Sequence, residues 1–194
     1  MKIAVVVLAG GAGQRIGGAK PMRLLGGRTL LSRALGHARQ WSDDVAVAVR
    51  CPSQLGDTDA RWIIDDETIE GPLGGLRAGL EFASGLGADA TLTIAADIPF
   101  LPTDLARALS GAIGHSNAAI ASSGGRLHPA CGLWRPAVSG LLQRYCETGR
   151  RSLGGLAEAC GFVAVEWGTE PFDPFLNINS PQDLKLAERL LRFS

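Results

Sequence analysis

Three short segments carry residue types that handle phosphate. The first is Leu8-Ala9-Gly10-Gly11-Ala12-Gly13-Gln14-Arg15-Ile16-Gly17-Gly18-Ala19-Lys20, directly after an apolar run. Consecutive small residues let main-chain N–H groups approach an anion. Gly10, Gly11 and Gly13 read as a phosphate cradle, to which Arg15 and Lys20 add positive charge. The second segment is Ala95-Ala96-Asp97-Ile98-Pro99-Phe100-Leu101-Pro102. A carboxylate before a proline-stiffened turn suits Mg²⁺, which takes one or two carboxylates plus phosphate oxygens. An Asx-turn or a helix cap uses the same residue type. In the third, Asp65-Asp66-Glu67 precedes Gly71-Pro72-Leu73-Gly74-Gly75. The acids fit a nucleotide contact or a solvated run. The Gly71-Pro72-Leu73 stretch fits a surface for a flat base, or tight packing of a helix on a sheet.

Two common phosphate motifs fail on this chain. A dinucleotide fingerprint needs glycine three residues past Gly13, where Ile16 stands. A P-loop needs Lys-Ser/Thr after the spacing that Gly13 and Gly18 provide, but Ala19 follows and Lys20 precedes Pro21. Hydride transfer and Walker-type hydrolysis are both weakened. A cationic cradle, a metal carboxylate and a base-sized surface point instead to nucleotidyl transfer. There an oxyanion attacks the α-phosphorus of a nucleoside triphosphate and pyrophosphate leaves. Positioning and charge neutralisation supply most of the rate, and Lys or Arg stabilises the phosphoryl oxygens.

These segments need a scaffold that presents loops at one sheet edge. Ile3 to Leu8 is continuously apolar and β-branched, as in a strand covered on both faces. Strands are predicted at 3–8, 45–49, 61–64, 90–95, 118–121, 131–134 and 162–166. Helices are predicted at 29–40, 71–84, 102–115, 136–147, 152–159 and 181–191, the last N-capped by Ser180 with Asp183 at its third position. Strand–helix alternation gives a three-layer, Rossmann-like α/β fold, a mostly parallel sheet with helices on both faces. In such sheets ligands lie beyond the strands' carboxyl ends, where all three segments fall. One domain is expected over 1–194, with a nucleotide-binding half at 1–121 and an acceptor-side half at 122–194.

Composition narrows the function class. Hydrophobic residues make up 46% of 194 and charged residues 20%, too apolar for a disordered chain. Lys+Arg and Asp+Glu are 19 each, which argues against a sequence-blind nucleic-acid binder. No run approaches the roughly 18 apolar residues of a membrane span. Cys51, Cys131, Cys146 and Cys160 hold no CxxC pair and read as reduced thiols of an intracellular protein. His37, His115 and His128 lie apart from one another, so zinc is not expected.

The Leu8–Lys20 stretch resembles the LAGGxxxRMGGxDK signature of molybdenum cofactor guanylyltransferases, of the nucleotide-diphospho-sugar-transferase-like fold. Gly71-Pro-Leu-Gly-Gly-Leu76 is similar to their GPLAG-type segment, and Asp97-Ile-Pro-Phe-Leu-Pro102 to their D-x-P-[FY]-[IL]-P turn. His128-Pro129, Gly149-Arg-Arg151 and Phe175-Leu-Asn-Ile-Asn-Ser-Pro181 look like further landmarks, in order along nearly the whole chain. The resemblance implies a cytoplasmic enzyme joining GMP from GTP to molybdopterin carrying molybdenum, in transient contact with cofactor-delivery proteins or molybdoenzymes. It implies nucleotide contacts at Leu8, Ala9, Gly10 and Asp66, phosphate binding at Lys20, Mg²⁺ at Asp97, and Asn177 and Asn179 towards the pterin. Placing the acid at Asp66 rather than Asp65 depends on how the following loop is aligned. Three departures stand out. The loop is one residue short, the Asp before the lysine is missing, and no asparagine follows strand 45–49. Lys20-Pro21-Met22 resembles instead the lysine segment of sugar-phosphate nucleotidylyltransferases, which keeps a sugar phosphate acceptor as an alternative. A cytidylyl enzyme acting on molybdopterin and a non-catalytic nucleotide-binding module are also compatible with these residues.

Overall fold

The structure is a computed structural model, and it describes residues 1–10, 20–56 and 58–192. Among these, seven strands form one sheet in the order β5-β4-β1-β6-β8-β7-β9. They are β1 (Ile3–Leu8), β4 (Val45–Val49), β5 (Trp62–Ile64), β6 (Ala90–Ala95), β7 (Ala118–Ser123), β8 (Arg126–Trp134) and β9 (Phe162–Trp167). All pairings are parallel except those of β8, which runs antiparallel to β6 and β7. The carboxyl ends of the parallel strands therefore share one edge.

Helices cover both faces. On one face, α1 (Leu30–Trp41) and α3 (Leu105–Ala112) bury Leu31, Ala34, Leu35, Leu105 and Leu109 against Val5, Val7, Val47, Leu92 and Ile94. On the other, α2 (Pro72–Gly85), α4 (Val138–Glu147) and α5 (Leu153–Cys160) pack Leu73, Leu76, Leu142 and Leu156 against Ile120 and Trp134. Fully burying an aliphatic side chain contributes about 1.5–3 kcal/mol, so these two layers are the main hold on the sheet. The buried Trp134 indole donates to Thr93 Oγ1 at 2.9 Å, which satisfies its only polar group. α6 (Pro181–Leu190) closes a smaller cluster with Leu25 and Leu30. Its Ser180 cap is present, and the Asp183 carboxylate bonds back to the Ser180 N–H, completing a capping box.

Three expectations change. The helix expected at 102–115 is shorter, because Pro102 to Asp104 form a turn in which Leu105 N–H bonds Pro102 C=O. The strand expected at 131–134 starts at Arg126, and the 118–121 strand runs on to Ser123. A two-residue pairing of β2 (Leu24–Leu25) with β3 (Arg28–Thr29) is additional. Gly26 and Gly27 take φ of 56° and 76° at its turn, a conformation open to glycine without strain.

Candidate active site

β1 and β6 end side by side, Leu8 in register with Ala95. Ala9 N–H bonds the Ala48 carbonyl and Ala96 N–H bonds that of Leu8, so both following loops leave from fixed positions. The Gly11, Gly13 and Arg15 positions lie outside the described residues. At the far end of that loop, Lys20 opens a short 3-10 turn, and Pro21 behind it is buried. Its ammonium is ion-paired with Asp97 and donates to Asn179 Oδ1 at 2.7 Å. Three residues expected to work on phosphate, metal and acceptor thus meet at one nitrogen.

Asp97 is held there by its backbone, whose carbonyl accepts the Ile178 N–H at 2.9 Å. One carboxylate oxygen faces Lys20; the other, Oδ1, is buried without a hydrogen-bond partner among the described residues. A buried carboxylate oxygen left unpaired is costly, and a divalent cation would satisfy it. Among the described residues no group of three or more His, Cys, Asp or Glu could cage a metal. That donor set fits Mg²⁺ brought by phosphate oxygens rather than Zn²⁺.

The adjacent acids 65 and 66 face different ways. Asp65, 9% exposed, lies behind Gly10, where any Cβ would strike its carboxylate. Burial raises its pKa above the ordinary value, partly offset by the charge of Arg50, and its Oδ1 has no partner among the described residues. Asp66 accepts from Thr68 N–H at 2.9 Å and pairs with Arg77 on α2 at 3.1 Å. Hydrogen bonds from Thr68, then the Arg77 charge, lower its pKa. The acid against Gly10 is therefore Asp65, whereas Asp66 braces the start of α2.

Gly71 caps α2 at φ 77°, with Pro72 in the first turn, and a Cβ there would lie 3.4 Å from the Arg151 carbonyl. The Leu73 side chain is fully buried, so it has only backbone to offer a ligand. A Cβ at Gly74 would come within 2.7 Å of the Asp66 carbonyl, and one at Gly75 within 3.0 Å of Leu8. Close packing accounts for those two glycines. Asn177 is exposed on the strand-free segment that carries Asn179.

A cluster that no sequence spacing announces lies beside that segment. Ser123 Oγ donates to Asp173 Oδ1 at 2.8 Å and is 2.7 Å from His128 Nε2. Burial lowers the His128 pKa; the Asp173 charge opposes this. His128 was legible only as a landmark, and Ser123 and Asp173 are 50 residues apart.

A model of the MobA-like NTP transferase domain matches residues 5–160. The chain is 39% identical to a molybdenum cofactor guanylyltransferase of Cereibacter sphaeroides, over 99% of this chain and 98% of the relative. It is likewise 39% identical to one of Rhodobacter capsulatus, with the same coverage. Among solved structures, molybdopterin-guanine dinucleotide biosynthesis protein A from Archaeoglobus fulgidus superposes with a TM-score of 0.78 at 24% identity, covering 98% of this chain and all of that one. A 2-C-methyl-D-erythritol 4-phosphate cytidylyltransferase from Thermus thermophilus gives 0.71 at 24% identity, over 99% of this chain and 100% of its own. These two share the fold.

Proposed function

The chain belongs to the MobA-like NTP transferase family, and from that premise we propose that it transfers GMP from GTP to molybdenum-bearing molybdopterin, releasing pyrophosphate. The convergence of Lys20, Asp97 and Asn179 at the β1–β6 edge is the observation that carries this reading. The full-length relatives named guanylyltransferases support the choice of nucleotide and acceptor.

In this reading an acceptor oxyanion forms a bond to the α-phosphorus of GTP, and the bond to the pyrophosphate oxygen breaks. Lys20 moves from the Asp97 carboxylate to the phosphoryl oxygens and neutralises the charge that grows there. Arg15 supplies a second cation from the same loop. The backbone of Leu8, Ala9, Gly10, Gly11 and Gly13 cradles the phosphates. Asp65 faces the nucleotide through Gly10, and Gly71, Pro72 and the Leu73 backbone border the base. Asp97 would hold Mg²⁺, which when bound neutralises phosphate charge and polarises the reacting phosphorus. Asn177 and Asn179 face the pterin side. Residues 1–121 then serve the nucleotide and 122–194 the acceptor. Transient contact with proteins that deliver or receive the cofactor belongs to the same reading. So does a cytoplasmic location, in keeping with cysteines spaced without a CxxC pair.

Thermal shift with Mg²⁺ and each of GTP, CTP, ATP and UTP tests this. Ligand at a hundred times its Kd adds about 2.7 kcal/mol, or roughly 5–11 °C for a chain of this size. The expected result is a shift with GTP well above the other three. A preference for CTP or UTP removes the guanylyl assignment, and a flat response to all four favours a binding module or an enzyme that takes its acceptor first.

A further inference from the structure

The segment that carries Asn177 and Asn179 is pinned at both ends by carboxylates. At its far end, Asp183 Oδ2 accepts the N–H groups of Asn179 at 2.9 Å and Ser180 at 2.8 Å. At its near end, Asp173 Oδ1 accepts Phe175 N–H at 2.9 Å and the Ser123 hydroxyl. Between these ends, Phe175 and Ile178 are buried, and Ile178 N–H ties the segment to the Asp97 carbonyl.

Donor arithmetic fixes the order of the near anchor. A serine hydroxyl has one proton, and an ionised carboxylate only accepts. The Ser123 proton goes to Asp173, so His128 Nε2 carries a proton and donates it to Ser123 Oγ. His128 also lies flat on Phe175, with centroids 4.6 Å apart and planes 13° from parallel, and Trp167 meets the same ring edge-on. Serine stands between histidine and carboxylate here. In a hydrolytic triad the histidine stands between, and takes the serine proton. Ser123 is 1% exposed, and its proton is already committed. The cluster is no nucleophile.

We propose that Ser123, His128 and Asp173 are positioning residues for the acceptor: they seat the Asp173–Ser180 segment so that Asn179 meets Lys20 and Asn177 is left exposed to the bound acceptor. This rests on the transfer reaction proposed above. The sheet order gives the anchor its selectivity. β7 and β8 lie on the far side of β6 from β1 and β5, whose loops carry the proposed nucleotide contacts. Loosening the anchor therefore acts on acceptor use before nucleotide binding.

The experiment compares wild type with Ser123→Ala, His128→Leu and His128→Gln. Losing a hydrogen bond in a chain that ends on a carboxylate should raise the acceptor KM roughly tenfold in Ser123→Ala and His128→Leu. The GTP Kd, measured by calorimetry with Mg²⁺, should stay within about twofold, since none of the three residues adjoins the nucleotide loops. Amides 175–179 should exchange hydrogen faster in both variants, with those of β1 and β4 unchanged. Gln keeps an N–H donor, so His128→Gln should recover most of the acceptor KM. Variants that keep the wild-type acceptor KM, or that lose GTP affinity equally, overturn the inference, as does a Gln variant no better than Leu. A wild-type enzyme that makes no guanylylated molybdopterin overturns the reaction itself and takes this inference with it. An active wild type with unaffected variants overturns this inference alone.

Discussion

The Lys20 ammonium and the Asp97 carboxylate, 77 residues apart in sequence, form an ion pair in which both side chains are less than one-fifth exposed. Each charge is the other's partner until a substrate supplies a better one. Lys20→Ala removes a cation from the transferring phosphoryl group and should lower turnover by roughly 10²–10³-fold. The protein should still fold, because the lysine lies outside both main core layers. The same variant frees the Asp97 carboxylate from its competitor. Mg²⁺ without nucleotide should then raise the Tm of Lys20→Ala more than that of wild type. Equal shifts in the two proteins would show that the ammonium does not compete for that site.

Asp97→Asn keeps the shape and removes the charge. Half-maximal turnover should need roughly tenfold more Mg²⁺ or more, as expected when a ligand carboxylate becomes a weaker donor. A Mg²⁺ titration superimposable on that of wild type would place the metal elsewhere.

Asp65 is a carboxylate held in a place that disfavours its charge. Its folded pKa is raised by burial, so ionising it at neutral pH works against the fold. Asp65→Asn should therefore raise the Tm of the nucleotide-free protein, by roughly 2–4 °C per kcal/mol recovered. It should also weaken GTP binding, since the carboxylate backs Gly10. A variant that is less stable and binds GTP as tightly as wild type contradicts both halves.

What the sequence shows and what it hides divide along physical lines. Val45 to Val49 and Leu30 to Trp41 follow their own apolar periods, so their elements are legible locally. The first half of β8, Arg126 to Ala130, has no buried residue. Its strand character comes from pairing with Ser122 and Ser123 of β7, which no local pattern encodes. The site divides in the same way. Lys20 and Asp97 stand out through their short motifs. The difference between Asp65 and Asp66 turns on a one-residue register, and only the three-dimensional structure shows that one lies behind Gly10 and the other pairs with Arg77. The Ser123–Asp173 contact joins the end of β7 to the segment before α6, and both residues are ordinary in their own neighbourhoods.

Two glycine-to-alanine changes should have opposite signs. Gly140 lies in α4, exposed, with open space around its missing Cβ. Gly140→Ala should stabilise the protein by about 0.5–1 kcal/mol, because alanine loses less backbone entropy in a helix. At Gly74 the new methyl meets the backbone carbonyl of Asp66, which cannot move without shifting α2. Gly74→Ala should cost roughly 1–3 kcal/mol. Urea unfolding of both variants reads the difference directly, and a stabilised Gly74→Ala would show that α2 stands further from the sheet edge.

Acid should destabilise the fold through its half-buried histidines, His37 and His128. His37 donates from Nε2 to the Pro99 carbonyl at 3.2 Å, while its Nδ1 is buried with no partner among the described residues. Charging the ring would place a second proton where nothing accepts it. Burial, opposed by the Pro99 bond and aided by the charges of Arg33 and Arg28, lowers its pKa below 6.5. Burial likewise lowers that of His128. For a histidine with a depressed folded pKa, the unfolded chain binds more protons between that value and the ordinary one. Stability then rises with pH across the window and is lost as pH falls through 6.5. The Tm should therefore drop between pH 7.5 and pH 5.5, a range of roughly one unit on either side of the ordinary histidine pKa. His37→Gln keeps a donor for Pro99 and cannot titrate, so its Tm should fall less steeply over the same range. Parallel slopes in wild type and variant would remove His37 as a source of the acid sensitivity and leave His128 to account for it.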